Sequence, residues 1–196
     1  MRLLDRMTSR DPSFSDERLT IRRYGRSLVF LRTDVEARAM KPLDLTEQPP
    51  RPCREALGGI VFLPRAIDKV RATLSGGAPG VYITTHDQPE ITTMSGLFYR
   101  TLRITSDEFT AAVAGADHEN AVLAWLLSRV DDAQIAKWNH RLFAIRLADV
   151  RPEAYSVLRS YYPAVDTLSP ETLMIDVIDR DDIQTFAISV PERRGR

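Results

Sequence analysis

Four charged residues fall within seven positions of one another: Arg65, Asp68, Lys69 and Arg71. At helical spacing, Asp68 lies one turn from Arg65 and from Arg71, so the set can pair within itself for ~0.2–0.5 kcal/mol per pair. The same set, packed against a loop holding Tyr82 and Asp87, would make a polar pocket for a small polar or anionic ligand. Its chemistry would be a carboxylate as general base beside a cation that holds an anionic group, with proton-transfer distances of ~2.6–3.2 Å. The candidate ligand-binding residues are therefore Arg65, Asp68, Lys69, Arg71, Tyr82 and Asp87, set against the plainer reading of a solvated helix face.

The other chemistry-bearing residues are sparse. The three histidines, His86, His118 and His140, show no H-x-x-x-H spacing, and Cys53 has no cysteine partner. A metal site would have to be assembled across loops from His86, Asp87 and His118 or His140. Cys53 lies in Pro-Arg-Pro-Cys-Arg, where arginines favour a thiolate, but no base is placed beside it. No G-x-S-x-G, Walker or G-x-G-x-x-G pattern is present, so the sequence implies no cofactor. Gly76-Gly77-Ala78-Pro79-Gly80 follows a helical stretch instead of opening one and reads as a turn.

The elements that must position these residues are mostly helical. Apolar Ile60, Leu63, Ile67, Val70 and Leu74 recur three and four apart, which predicts an amphipathic helix. Pro64 suits its first turn and Gly76-Gly77 its end. On that wheel Arg65, Asp68 and Lys69 lie opposite the apolar stripe. Thr105-Ser-Asp-Glu108 is a capping-box pattern for a helix running to Gly115. Asp117 is placed to cap the next helix, and Asp131 or Asp132 a third. Pro152 opens a fourth, which Pro163 ends. Trp125 and Trp138 fall on apolar stripes of successive helices and read as core. Residues 77–104 lack a helical period and read as extended. The stretch around Leu173, Ile175 and Val177 alternates and predicts a short hairpin. Residues 19–31 predict another, with Gly25 at its turn. Four prolines between positions 41 and 53 exclude a helix or central strand there.

The expected fold class is mainly α, a small bundle-like domain of four or five helices with short extended or hairpin segments; an α+β arrangement remains open. The expected organisation is a poorly packed or disordered extension over 1–39, one domain over 40–190 and a basic tail over 191–196. Residues 1–39 hold nine arginines against six acidic residues, whereas 40–190 hold 15 basic against 20 acidic. An acidic body argues against nucleic acid as a partner. The longest apolar run, Ala121 to Leu127, is far short of the ~20 residues a membrane span needs, so no membrane partner is expected. With one cysteine and no signal-peptide pattern at the start, the expected location is cytoplasmic.

The run LGGIVFLPRAIDKVRA (57–72), preceded by DLT (44–46) and Pro50-Arg51, resembles an uncharacterised bacterial family, domain of unknown function 5069. The resemblance extends over about 40–185 and takes in Gly80, Tyr82, Asp87, the TSDEF helix start and the AWL segment at 124–126. The family's motif residues here are Gly58, Gly59, Leu63, Pro64, Arg65, Asp68, Lys69 and Arg71. Two positions depart from its pattern: Val81 stands where an acidic residue is usual, and Ile183 where a glycine usually follows the acidic pair. The resemblance implies a small, mostly helical bacterial protein and no particular activity. It also implies a chain start near Met40, which makes 1–39 an extension or a translated upstream region.

The leading functional expectation is a non-catalytic module that binds a small molecule or a protein. The alternatives are an enzyme using Asp68 or Asp87 with Arg65 or Lys69, and a metal-binding protein.

Overall fold

The computed structural model describes residues 20–24, 27–31, 40–82 and 93–189, with side chains over 40–82 and 93–187. The expected sites His86 and Asp87, and the hairpin's Gly25, lie outside the described residues. The chain divides into two compact units, Met1–Ala37 and Arg38–Arg196. In the first, strands β1 (Thr20–Tyr24) and β2 (Ser27–Leu31) form an antiparallel hairpin, paired from Thr20 with Leu31 to Tyr24 with Ser27.

The second unit is helical, with one two-residue hairpin among its described residues. Strands β3 (Ala56–Leu57) and β4 (Ile60–Val61) pair antiparallel across Gly58-Gly59. Both glycines have positive φ, 59° and 80°, as a two-residue turn between antiparallel strands requires. A Cβ on Gly58 would also meet the Leu123 side chain at 2.5 Å. Immediately after this hairpin comes helix α1 (Leu63–Thr73). Phe62 precedes it at φ 72°, a left-handed conformation that costs a β-carbon residue ~1–2 kcal/mol. The Phe62 ring, fully buried against Phe98 and Trp138, and its amide bond to the Glu55 carbonyl hold it there.

The remaining helices are α2 (Met94–Leu102), α3 (Ser106–Ala114), α4 (Glu119–Leu127), α5 (Asp132–Leu142), α6 (Pro152–Tyr161) and α7 (Met174–Ser189). Thr105 and Asp131 cap α3 and α5 with complete capping boxes, as the sequence predicts. Helix α2 packs on α5, and α3 packs on both α1 and α4. The aromatic centre of the core is Phe62, Phe98, Phe109 and Trp138, in tilted or edge-to-face contact. A second cluster, built on Leu147, Leu158, Val165, Met174 and Val177, joins α6 to α7. Among the described residues no helix is long and apolar enough to cross a membrane.

Three expectations are corrected. The last segment is helix α7 and not a hairpin: Met174, Ile175, Val177 and Ile178 are all buried, a one-three-four spacing that fits a helical face. The end of the 77–104 stretch is helix α2, with the Thr93 hydroxyl accepting from the Gly96 amide. The cap of α4 is His118 and not Asp117; its Nδ1 accepts from the Ala121 amide at 3.1 Å.

Candidate functional site

Helix α1 carries the charged motif through the middle of the domain. Arg65, Asp68 and Arg71 are each at most 5% exposed, which overturns the solvated-face reading. What covers that face is the proline-rich segment before the hairpin, the start of α4, and α7. Each supplies charge. The polar side of α1 divides into two systems.

The first is closed. Arg51, from the proline-rich segment, donates from its amide, Nε and Nη2 to the Asp68 carboxylate at 2.8–3.0 Å. It also donates from Nη1 and Nη2 to both carboxylate oxygens of Glu119 at 2.9 and 2.7 Å. Arg71 approaches Asp68 at 3.5 Å and Glu119 at 3.9 Å, and its Nε donates to the Lys41 carbonyl. Two guanidiniums thus face two carboxylates. Burial alone would lower the Arg51 guanidinium, but its bonds to Asp68 and Glu119 hold it above its ordinary value. Asp68 and Arg71 are therefore committed to a structural network. Neither lines the cavity described next, which removes Asp68 as a general base there.

The second system is open. A cavity of about 930 Å³ lies beside α1, walled by parts of α2, α6 and α7. Its apolar lining includes Phe62, Leu97, Ile145, Leu158 and Met174. Its polar end holds Arg65, Lys69, Tyr82, Asp181 and Asp182, and Arg100, Arg141 and Arg151 also line it. Apolar walls with a few convergent polar groups are the usual make-up of a small-molecule site. Of the six expected ligand-binding residues, Arg65, Lys69 and Tyr82 meet here. Sequence reasoning missed Arg51 and Glu119 as members of the Asp68 and Arg71 network, and Asp182 as the partner of Arg65 and Tyr82.

Arg65 Nη1 donates to Asp182 Oδ2 at 2.7 Å and to the Arg51 carbonyl at 3.1 Å. The Tyr82 hydroxyl donates to the other Asp182 oxygen at 2.9 Å, and the Arg65 guanidinium lies over the Tyr82 ring. Burial, then the Asp182 charge, raises the Tyr82 hydroxyl, so it stays a donor. Asp182 is thus held by two partners. Burial, and next the neighbouring Asp182, hold the Asp181 carboxyl above its ordinary range.

Lys69 differs from the other buried charges. Its Nζ donates to Ser95 Oγ at 2.9 Å, and no carboxylate among the described residues pairs with it. The side chain is half-buried because the cavity is open, yet its ammonium sits deep among protein atoms. Burial, then the Arg65 guanidinium, bring that ammonium down to about 7. Between about pH 7 and 10 the unfolded chain therefore binds more protons than the folded protein, and the Lys69 contribution to stability rises with pH across that window. In urea melts, the unfolding free energy of the wild type relative to Lys69→Met is expected to increase from pH 7 to pH 9. A difference that stays flat would show an ordinary lysine.

The remaining candidates that lie among the described residues do not converge. Cys53 is fully buried, and burial pushes its thiol well up, against the expectation of an arginine-favoured thiolate. His118 serves as a helix cap, and His140 is exposed on α5. Among the described residues no group of three or more His, Cys, Asp or Glu is arranged to hold a metal ion. Trp138 is fully buried, as expected of core; Trp125 is partly covered, with Arg129 over its ring at 4.8 Å.

Residues 47–184 match the sequence model of the family described as Domain of unknown function (DUF5069). The match spans well over half of the chain, and the chain belongs to that family. Comparison with curated proteins gave no match.

Proposed function

We propose that this DUF5069 protein binds a small organic acid, its apolar part in the cavity and its anionic group at the Lys69 end. One observation carries the reading: a lysine ammonium inside the cavity with a serine hydroxyl in place of a counter-ion. A dehydrated cation without a partner carboxylate is unfavourable, and a bound anion supplies the missing charge. The apolar walls favour a ligand with a hydrocarbon or aromatic body. The described lining carries five basic residues, Arg65, Lys69, Arg100, Arg141 and Arg151, against three acidic ones, Asp149, Asp181 and Asp182, a balance that favours an anion. On this reading Arg65 and Tyr82 shape the polar end through Asp182.

The dye 8-anilinonaphthalene-1-sulfonate has this chemistry, an apolar aromatic body with one anionic group. Saturable binding of one dye per chain is expected by fluorescence titration at pH 6.5. A charge-assisted hydrogen bond contributes ~1.5–3 kcal/mol, so Lys69→Met should weaken binding about tenfold or more with near-ultraviolet circular dichroism unchanged. Equal affinity in the two proteins, or no saturable binding, would refute the proposal.

A further inference from the structure

We infer that Lys69 condenses with the carbonyl group of a small oxo acid in the cavity, forming an imine. This inference rests on the acidic-ligand reading and names the reacting group of the ligand.

The geometry provides an amine at the end of an open chamber, bonded among the described residues only to Ser95 Oγ. In most proteins a lysine this far inside would be locked to a carboxylate and held as ammonium. Among the described residues two neighbouring carboxylates are occupied: Asp182 accepts from Arg65 and Tyr82, and Asp68 accepts from Arg51 on the other side of α1. The groups bearing on the Lys69 charge are Arg65 on its own helix, Cys53 from the preceding segment and Asp182 from α7. Tyr82, Tyr162 and Asp181 share the cavity wall. Of these, Arg65 and the burial itself favour the neutral amine, which is the nucleophilic form. Burial keeps the Tyr162 hydroxyl protonated, up to about 12, so it adds no negative charge to hold the proton on Lys69.

The step balances without an outside oxidant or reductant. The Lys69 nitrogen lone pair attacks the carbonyl carbon and the C=O π pair moves to oxygen. Proton transfer from nitrogen to that oxygen gives a neutral carbinolamine. A second proton, from the solvent that the open cavity admits, lets the hydroxyl leave as water. The nitrogen lone pair then forms C=N⁺. The positive charge created stays at the end of the cavity where the ligand carboxylate is held.

The sequence gives this inference an internal control, because the chain has three lysines, Lys41, Lys69 and Lys137, and the other two are exposed. At pH 7 an ordinary lysine is ionised in all but roughly one molecule in 2,000, whereas Lys69 would be close to half neutral. A depressed pKa also weakens the lone pair, so the net advantage is smaller than that ratio.

The experiment treats the full-length protein at pH 7 with phenylpyruvate, whose carbonyl adjoins its carboxylate, and sodium cyanoborohydride, then maps the reduced adduct by peptide mass spectrometry. The α-amino group is scored separately. Labelling at Lys69 is expected at least about tenfold faster than at Lys41 or Lys137, and it should be suppressed by prior saturation with the sulfonate dye. Lys69→Arg, which keeps the cation, should lose the fast site. Label spread evenly over the three lysines, or absent from Lys69 in protein that still binds the dye, overturns the imine while leaving the acidic-ligand reading in place. A fast Lys69 adduct in protein that fails to bind the dye supports the imine and removes only the anionic requirement.

Discussion

Asp68→Ala is expected to destabilise the protein by ~3–5 kcal/mol, the range seen when one member of a buried ion pair is removed. The carboxylate accepts three bonds from Arg51 and lies 3.5 Å from Arg71. Without it, two largely buried guanidiniums lose the carboxylate they share with Glu119, and the Arg51 amide loses its acceptor. Against a typical total of ~5–15 kcal/mol, this is a loss of about a fifth or more. In a domain this size it lowers Tm by roughly 6–20 °C. The double variant Arg51→Met with Asp68→Leu removes one charge of each sign and leaves Arg71 facing Glu119. It should be much less destabilised than the sum of the two single variants. Additive losses in chemical denaturation would show that the four charges do not act as a unit. Dye binding, measured below the transition, should persist in Asp68→Asn if that variant folds, because Asp68 does not line the cavity.

Trp138→Ala is expected to cost ~3–5 kcal/mol through lost burial and the cavity left behind. The ring is fully buried and stands edge-on to Phe98 at 5.1 Å and Phe62 at 5.8 Å. Its Nε1 donates to the Val61 carbonyl at 2.7 Å, so it also ties α5 to the hairpin that introduces α1. Trp138→Phe keeps most of the volume but leaves that carbonyl without its donor, at ~1–3 kcal/mol. Urea denaturation of the two variants separates packing from hydrogen bonding. A Trp138→Ala loss below 1 kcal/mol would mean that the aromatic cluster is not what fixes the start of α1.

Much of the fold was legible in local signals. Thr105 with Glu108 and Asp131 with Gln134 carry capping boxes in four residues each, and Pro64 and Gly76 bracket α1. The misread elements show where local signals run out. In TLMIDVID, apolar residues satisfy a period of two if Leu173, Ile175 and Val177 are chosen, and a helical one if Met174, Ile175, Val177 and Ile178 are chosen. Burial in the tertiary structure decides, and the sequence carries no mark of which set is covered. Helix α2 was hidden by the β-branched residues that precede it, with Thr93 acting as a cap and not as part of a strand.

The site was half legible for a related reason. Arg65, Asp68 and Lys69 stand out because they are dense within one helix. Their partners come from far along the chain: Glu119 is 68 positions from Arg51, and Asp182 is 117 from Arg65. No periodicity relates residues at such distances. The same separation explains why Asp68 and Lys69, adjacent in sequence, part company in role. A step of one residue turns a helix by ~100°, enough to place one in the closed network and the other in the open chamber.

The two-sided hold on α1 has a consequence for recognition. A helix gripped on one flank by the Arg51 network and on the other by Asp182 has little freedom to swing or slide when a guest arrives. The chamber wall it forms is therefore in place beforehand, and the entropy of ordering it has been met during folding. On the ligand-binding reading proposed above, guests that match the chamber bind without a penalty for reshaping it, and guests that do not match cannot mould it to themselves. On that reading, a chamber built this way discriminates by outline and charge, as a gauge does, and is ill suited to accommodating many unrelated molecules.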